Sequence, residues 1–321
     1  MAPRVPLIFG TMTMGEPGQN AVRTDNLEEC QKILDAFYKH GGRELDTARV
    51  YAGGTTEKYL AQLNLRDSVL DTKCAPRWHP DGHKPNAVRE SLLTSLKTLK
   101  KDKVRVFYLH APDHNFPYEQ TVEEVNKLYK EGHFEIFGLS NYAAWEVAEI
   151  WNICNERGWV KPRIYQGMYN AIARALEPEL APCLRKYNIR LVIYNPLAGG
   201  LLAGKILNLN EDLPAGRFKG ESASAIMYRQ RYLKDAYITA VKTIKTAADK
   251  HGFTMTEVAL RWCQHHSVLI PTDGVIFGGT SVAQVEANSL DSEKGPLPAD
   301  VIQALDEAWI SIGHNSPTYL R

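Results

Sequence analysis

The sequence of 321 residues predicts an α/β chain that closes into a (β/α)8 TIM barrel. A long loop follows its seventh strand, and a C-terminal helix and tail lie outside the repeat. Three observations predict this. Eight short β-rich runs recur along the chain, helical patterns separate them, and polar residues collect just after the apolar runs. Parallel strands need crossover connections, most often helices, and eight such units in one chain of this length favour a barrel over an open sheet.

In order, the strands are expected at Leu7–Phe9, Glu44–Asp46, Val69–Lys73, Arg105–Leu109, Phe134–Leu139, Ile164–Met168, Arg190–Tyr194 and Gly274–Phe277. Between them, apolar residues fall at helical spacing. Leu27, Leu34, Phe37 and Tyr38 mark one face, and Val88, Leu92, Leu96 and Leu99 the next. Val122, Val125, Leu128 and Tyr129 mark a third, opened by a capping box from Thr121 to Glu124. Trp145, Ala148 and Trp151 mark a fourth. Leu197–Ser224 is Gly-rich without a clean period and reads as a loop. Tyr228–Lys250 and Thr256–Gln264 read as two helices, and Pro298–Ile310 as the last one. No low-complexity linker divides the chain, so residues 1–321 are expected to form one domain.

Composition bounds the function. The chain has 38 basic and 37 acidic residues and is 44% hydrophobic, ordinary for a globular protein. No basic stripe favours a nucleic-acid partner, and no apolar run reaches the roughly 18 residues of a membrane span. Five scattered cysteines, an odd number, argue against a disulfide framework. With no secretory leader pattern, a cytoplasmic protein is expected.

In such barrels the site lies on the loops that follow the strands. There the sequence places Asp46 and Tyr51 after the second strand, Lys73 at the end of the third and His110 at the end of the fourth. A tyrosine is a poor acid alone, with a reference pKa near ~10. A neighbouring ammonium lowers that value, a carboxylate holds the ammonium, and a histidine orients a carbonyl or relays a proton. The set suits protonation of a carbonyl oxygen while hydride arrives at carbon. Each residue alone also has a structural reading.

Other motifs are weaker. No Gly-x-Gly-x-x-Gly follows the first strand. Gly199–Ile206 nearly matches a P-loop but ends in Ile206 where a Mg²⁺-binding hydroxyl belongs. A glycine-rich loop that wraps a pyrophosphate with backbone N–H groups fits it better. His265 and His266 are adjacent and point to different sides of a helix, so no metal is expected. His79 and His83 lie in a Pro/Gly-containing loop and read as solvated or capping, and Trp78 and Tyr228 lie in loop-like contexts.

The run Asp46-Thr-Ala-x-x-Tyr51-x-x-Gly-x-x-Glu57, with Thr72-Lys73, Tyr108-Leu-His110 and Gly138-Leu-Ser-Asn141, resembles the aldo-keto reductase superfamily. Gly10-Thr-Met-x-Met14-Gly, Tyr165-Gln-Gly-Met-Tyr-Asn170, Tyr194-Asn-Pro-Leu-Ala-Gly-Gly-Leu-Leu, Tyr228-Arg-x-Arg231-Tyr and Ser316-Pro-Thr-Tyr-Leu-Arg321 resemble its aflatoxin-aldehyde and succinic-semialdehyde reductase branch. The resemblance implies an NADPH (NADP+)-dependent aldehyde reductase of dialdehydes, semialdehydes or related carbonyls. It makes Tyr51 the proton donor, tuned by Lys73 and Asp46, with His110 orienting the carbonyl. Ser140, Asn141 and Gln166 would hold the nicotinamide amide, and Tyr194 would stack on its ring. Asn195, then Leu197, Gly199, Leu201, Gly204 and Lys205 of the following loop, with Arg217, match the pyrophosphate strap. Gly278, Thr280, Ser281, Gln284 and Asn288 match the adenosine 2′-phosphate region, here without a basic residue. Met14, Tyr51, Trp78, His110, Tyr228, Arg231 and Arg321 would line the substrate pocket. The branch's habit implies a homodimer. Rival readings are a regulatory subunit resembling potassium-channel β-subunits, expected to carry an N-terminal extension, a ketone reductase of secondary metabolism, and a barrel isomerase or hydrolase.

Overall fold

The structure is a computed structural model and describes residues 2–209 and 212–321. Its strands are β1 (Leu7–Gly10), β2 (Glu44–Asp46), β3 (Val69–Cys74), β4 (Val104–Leu109), β5 (Phe134–Ser140), β6 (Pro162–Met168), β7 (Arg190–Tyr194) and β8 (Gly274–Phe277). All pair in parallel, each with the next, and β1 with β8 closes the barrel. The expected strands fall within these bounds to about one or two residues. The fold class is as the sequence predicts.

The helices are α1 (Leu27–Lys39), α2 (Thr55–Leu60), α3 (Pro85–Leu99), α4 (Tyr118–Lys130), α5 (Ala144–Glu156), α6 (Leu180–Lys186), α7 (Ala223–Tyr232), α8 (Asp235–Lys250), α9 (Met255–His265), α10 (Val282–Glu293) and α11 (Ala299–Ile312). Their apolar faces pack outside the barrel against Phe9, Leu45, Phe107, Phe137 and Leu191. Alternate residues point inward, where Ile8, Val106, Tyr108, Ile164, Val192 and Ile276 fill the barrel. A Cβ at Gly138 would overlap the Tyr108 ring, which is why that β5 position is glycine. Glu44, Asp71, Arg105 and Arg190 form an ion-pair floor at the N-terminal end. Chemistry is therefore confined to the other end.

Several helical expectations need correction. Thr121 lies inside α4, capped by Pro117, and its hydroxyl donates to the His83 carbonyl, so it starts no capping box. The buried face of α5 is Ala144, Val147, Ile150 and Cys154, while Trp145 is 60% exposed. Small and aliphatic residues fit between α5 and the barrel, and the tryptophans do not decide the face. On α4, Tyr129 is likewise exposed. Tyr228–Lys250 is not one helix: Leu233 leaves helical geometry at φ −87°, ψ 77° and separates α7 from α8. No Gly or Pro marks that break. Tyr228 is thus helical, and Arg231 lies in the last turn of α7 rather than at a helix start. The Leu197–Ser224 loop contains a 3-10 turn at Ala198–Ala203, and its residues 210 and 211 lie outside the described part.

Candidate active site

At the C-terminal mouth the strand ends surround a cleft of about 940 Å³. Lys73 is fully buried beneath it. Its ammonium donates to Asp46 Oδ2 and to the Thr47 carbonyl, each at 2.7 Å, and to the Tyr51 hydroxyl at 3.3 Å. Burial alone would push this ammonium down in pKa, but Asp46 and Tyr51 outweigh it and hold it above the ordinary value. The second Asp46 oxygen accepts from Gln166 Nε2 at 2.8 Å. Burial raises the Tyr51 hydroxyl above the ordinary tyrosine value, and Lys73 pulls against it without winning. The expected net lowering is therefore not present in this ligand-free arrangement.

The rings of His110 and Tyr51 meet edge to face at 5.8 Å. Burial, then the cations Lys73, Arg321 and Arg77, hold the imidazole well below its ordinary pKa, so His110 is neutral. Its Nδ1 is buried without a protein partner. Four residues from three neighbouring strands thus meet as the sequence predicts. A tyrosine hydroxyl backed by a buried ammonium, beside a neutral imidazole, can give a proton to a carbonyl oxygen.

Asn141 sits just past β5 at φ +65°, a left-handed conformation that asparagine tolerates. Its amide donates to the His110 carbonyl and to Ser140 Oγ, and its oxygen accepts from the Tyr194 hydroxyl at 2.8 Å. Ser140 is fully buried below the cleft. Asn195 Oδ1 accepts from the Gly199 amide, which shapes the strap. Leu197, Gly199 and Lys205 line the cleft, whereas Leu201 is packed beneath it and Gly204 lies outside its lining. Arg217 reaches across the strap. Its Nη1 donates to the Tyr228 hydroxyl at 2.8 Å, and its Nη2 would lie 3.9 Å from a Cβ on Gly278. Gly278, Thr280, Gln284 and Asn288 line the far end, and Ser281 instead caps α10.

Not every expected pocket residue arrives. Met14 is fully buried: its amide closes a turn on the Thr11 carbonyl, and the residue forms an isolated bridge with Thr24. Met12 and Thr13 line the cleft instead. Trp78 lies in a 3-10 turn beside His79 and does not line it, while its neighbour Arg77 does. Arg77 follows β3 by three residues, so the strand-end rule could have found it. His83 is neither solvated nor capping: it is buried against the Cys74 carbonyl, and burial pushes it down to about 4. The tail does fold back. Tyr319 is 7% exposed, its hydroxyl donates to Glu179 and accepts from the Ala144 amide, and the Arg321 amide donates to the Asn141 carbonyl. Leu320 stays largely exposed.

The charge of the lining is lopsided. Arg23, Arg77, Lys205, Arg217, Arg231 and Arg321 face the cleft, and none has a carboxylate partner among the described residues. Among the described residues Asp46 is the one acidic residue of the lining, and Lys73 neutralises it. Walls of this kind favour an anionic ligand. The cations at the strap, Lys205 and Arg217, with the amides at the α10 N-terminus, fit a pyrophosphate-linked dinucleotide by the chemistry of their donors. Among the described residues no His, Cys, Asp or Glu group is arranged to hold a metal ion.

A closed parallel barrel with this tyrosine–lysine–aspartate–histidine group at its mouth defines a barrel oxidoreductase. The profile of the Aldo/keto reductase family matches residues 6–310, and the chain belongs to that family. It is 43% identical over 297 residues to an aldo-keto reductase of Pseudocercospora fijiensis, covering 89% of this chain and 99% of that one. It is 42% identical over 332 residues to aflatoxin B1 aldehyde reductase member 2 of Mus musculus, covering 99% and 88%. A glycerol dehydrogenase of Gluconobacter oxydans shares the fold, with a TM-score of 0.75 at 21% identity over 99% of this chain and 94% of that one. The protein is thus an aldo-keto reductase, an enzyme of small carbonyl compounds in a family that uses nicotinamide cofactors. No helix of the described residues is long and apolar enough to cross a membrane.

Proposed function

We propose that the chain acts as one (β/α)8 unit in the cytoplasm and reduces aldehydes to alcohols with NADPH. Its preferred substrates are aldehydes that carry a distal anion or a second carbonyl oxygen, such as semialdehydes and dialdehydes. The observation that carries this reading is the unpaired arginine group at the substrate end of the cleft. Arg231 packs between Tyr228 and Tyr232, at 5.9 and 6.0 Å from their rings, and its Nη1 is buried without a partner. A buried donor of this kind costs free energy until a ligand accepts from it. The planar fork of arginine suits a carboxylate.

When bound, NADPH supplies the hydride. Tyr194, Asn141 and Gln166 form the wall against which a nicotinamide would lie, and Lys205 with Arg217 would hold its phosphates. Arg217 also reaches the Gly278 end, which supports recognition of the 2′-phosphate there despite the lack of a basic residue in β8–α10. Tyr51 gives its proton to the carbonyl oxygen, and Lys73 stabilises the phenolate left behind. Asp46 keeps Lys73 charged and oriented. His110, being neutral, positions the carbonyl without competing for the proton.

The test is NADPH oxidation against succinic semialdehyde, an aromatic dialdehyde and a neutral aromatic aldehyde. Turnover with higher kcat/KM for the first two is expected. No turnover with any aldehyde, or a clear preference for the neutral one, would overturn the reading.

A further inference from the structure

Tyr51 stands on a turn whose backbone is held in an unfavourable form. Ala52, Gly53 and Gly54 follow it with φ of +48°, +62° and +90°. Glycine adopts such values freely, but for Ala52 the left-handed region is costly and persists only where the surroundings enforce it. The enforcement comes from Arg49. Its Nη2 donates to the Gly54 carbonyl at 2.8 Å, and its Nη1 lies 3.0 Å from Thr98 Oγ1 and 2.5 Å from Glu57 Oε2. A Cβ at Gly54 would overlap this guanidinium.

Glu57 is fully buried on α2. Its other oxygen accepts from Thr72 Oγ1 at 2.7 Å, and Thr72 precedes Lys73 on β3. The Arg49 amide donates to the Lys73 carbonyl at 3.2 Å. One ion pair thus bolts the turn that carries the Tyr51 hydroxyl to the strand that carries the Lys73 ammonium. Neither Arg49 nor Glu57 lines the cleft.

We propose that the buried Arg49–Glu57 pair is a positioning device that sets the Tyr51–Lys73 contact, and through it the acid strength of Tyr51, without touching substrate or cofactor. The inference rests on Tyr51 being the proton donor. The contact to be held is 3.3 Å long, near the limit of a useful hydrogen bond, so a small shift of the turn loses it. With it goes the hydrogen-bonded part of the pull of Lys73 on the hydroxyl, and its charge, acting from farther away, is left to oppose burial and Asp46. A buried ion pair is weak evidence for stability, since a well-packed apolar pair often serves as well, and fixing a register is its better-attested use. Burial pushes the Glu57 carboxyl above its ordinary value, and Arg49, then Thr72, pull it back only in part.

The test uses the full chain with Glu57→Gln, Arg49→Lys, Arg49→Met, and the double variant Arg49→Met/Glu57→Leu. NADPH binding by fluorescence counts folded sites, and melting temperature, kcat, KM and the pH profile of kcat are measured on them. Expected is an unchanged KM and a kcat lower by about ten- to a hundredfold, part of the general-acid contribution. The alkaline limb of kcat moves to higher pH, because Lys73 then favours the phenolate less. Arg49→Lys should recover part of what Arg49→Met loses. The double variant should regain melting temperature but not kcat. Folded sites that turn over at the wild-type kcat with an unmoved limb would overturn the proposal. So would a double variant that still binds no NADPH, since the pair is then a folding requirement. Tyr51→Phe run alongside keeps the readings apart: if it retains turnover, the proton-donor reading fails, whereas an inert Tyr51→Phe beside normal clamp variants sinks the clamp alone.

Discussion

Replacing Arg231 by alanine isolates the anionic end of the substrate. Among the described residues Arg231 makes no ion pair; its contacts are a 4.0 Å approach to Met227 Sδ and the two tyrosine rings. Removing it breaks no internal salt bridge, so what is lost on binding is ligand recognition. One charge-assisted hydrogen bond to a carboxylate contributes about 1.5–3 kcal/mol. At 1.4 kcal/mol per factor of ten, kcat/KM for succinic semialdehyde should fall roughly 10- to 150-fold, mostly through KM. A neutral aromatic aldehyde should change by less than about threefold, the share owed to lost stem packing. Arg231→Lys should lie between, because a point charge lacks the fork. Deleting Tyr319–Arg321 should act in the same direction but more weakly, since the tail also supports Asn141 through the Arg321 amide. The assay is steady-state NADPH oxidation on both substrates with each variant. Equal losses on charged and neutral aldehydes would make these arginines structural and would remove the anionic-substrate idea.

Five further outcomes rest on the same geometry. Tyr51→Phe should keep NADPH binding and lose at least ~10²-fold in kcat, the lower bound of general acid catalysis; near-normal turnover would take Tyr51 out of the chemistry. Reduction needs the protonated hydroxyl, and burial raises its pKa, so kcat should stay flat through neutral pH and decline only above the ordinary tyrosine range. With His110 held neutral, a pH titration that revealed an acid limb near the ordinary imidazole value would contradict that assignment. NADPH should bind more than about tenfold tighter than NADH, and Arg217→Ala should narrow the gap in a binding titration. Gly138→Ala should lower stability by roughly 1–3 kcal/mol in thermal or urea unfolding, because its Cβ meets the Tyr108 ring inside the barrel.

The expected strands match the structure because parallel strands buried on both faces are near-continuous apolar runs. Asp46, Lys73 and His110 stand out for the same reason, as polar residues ending or directly following such runs. Sequence reading failed where a residue's fate hangs on a neighbour distant in the chain. Thr121 looked like a cap, but the His83 carbonyl claims its hydroxyl inside α4. Trp145 looked like a core anchor, but the gap beneath α5 admits Val147 and Ile150. The expectations for Met14 and Trp78 fail for one reason: whether a loop side chain points into a cleft depends on how the loop pairs and turns, and composition carries no trace of that.

The sequence by itself therefore determined the barrel, the order of its strands and the residue types at its mouth, since periodicity and strand-end chemistry are local properties. Only the tertiary structure decided how those residues act on one another. It brought Lys73 to Asp46 and Tyr51, neutralised His110 by burying it among cations, and left six basic residues facing one cleft without carboxylate partners among the described residues. It also tied the Tyr51 turn to β3 through Arg49 and Glu57. The physical reason is that charge interactions depend on distance and desolvation, and both are fixed only when segments far apart in the chain pack together.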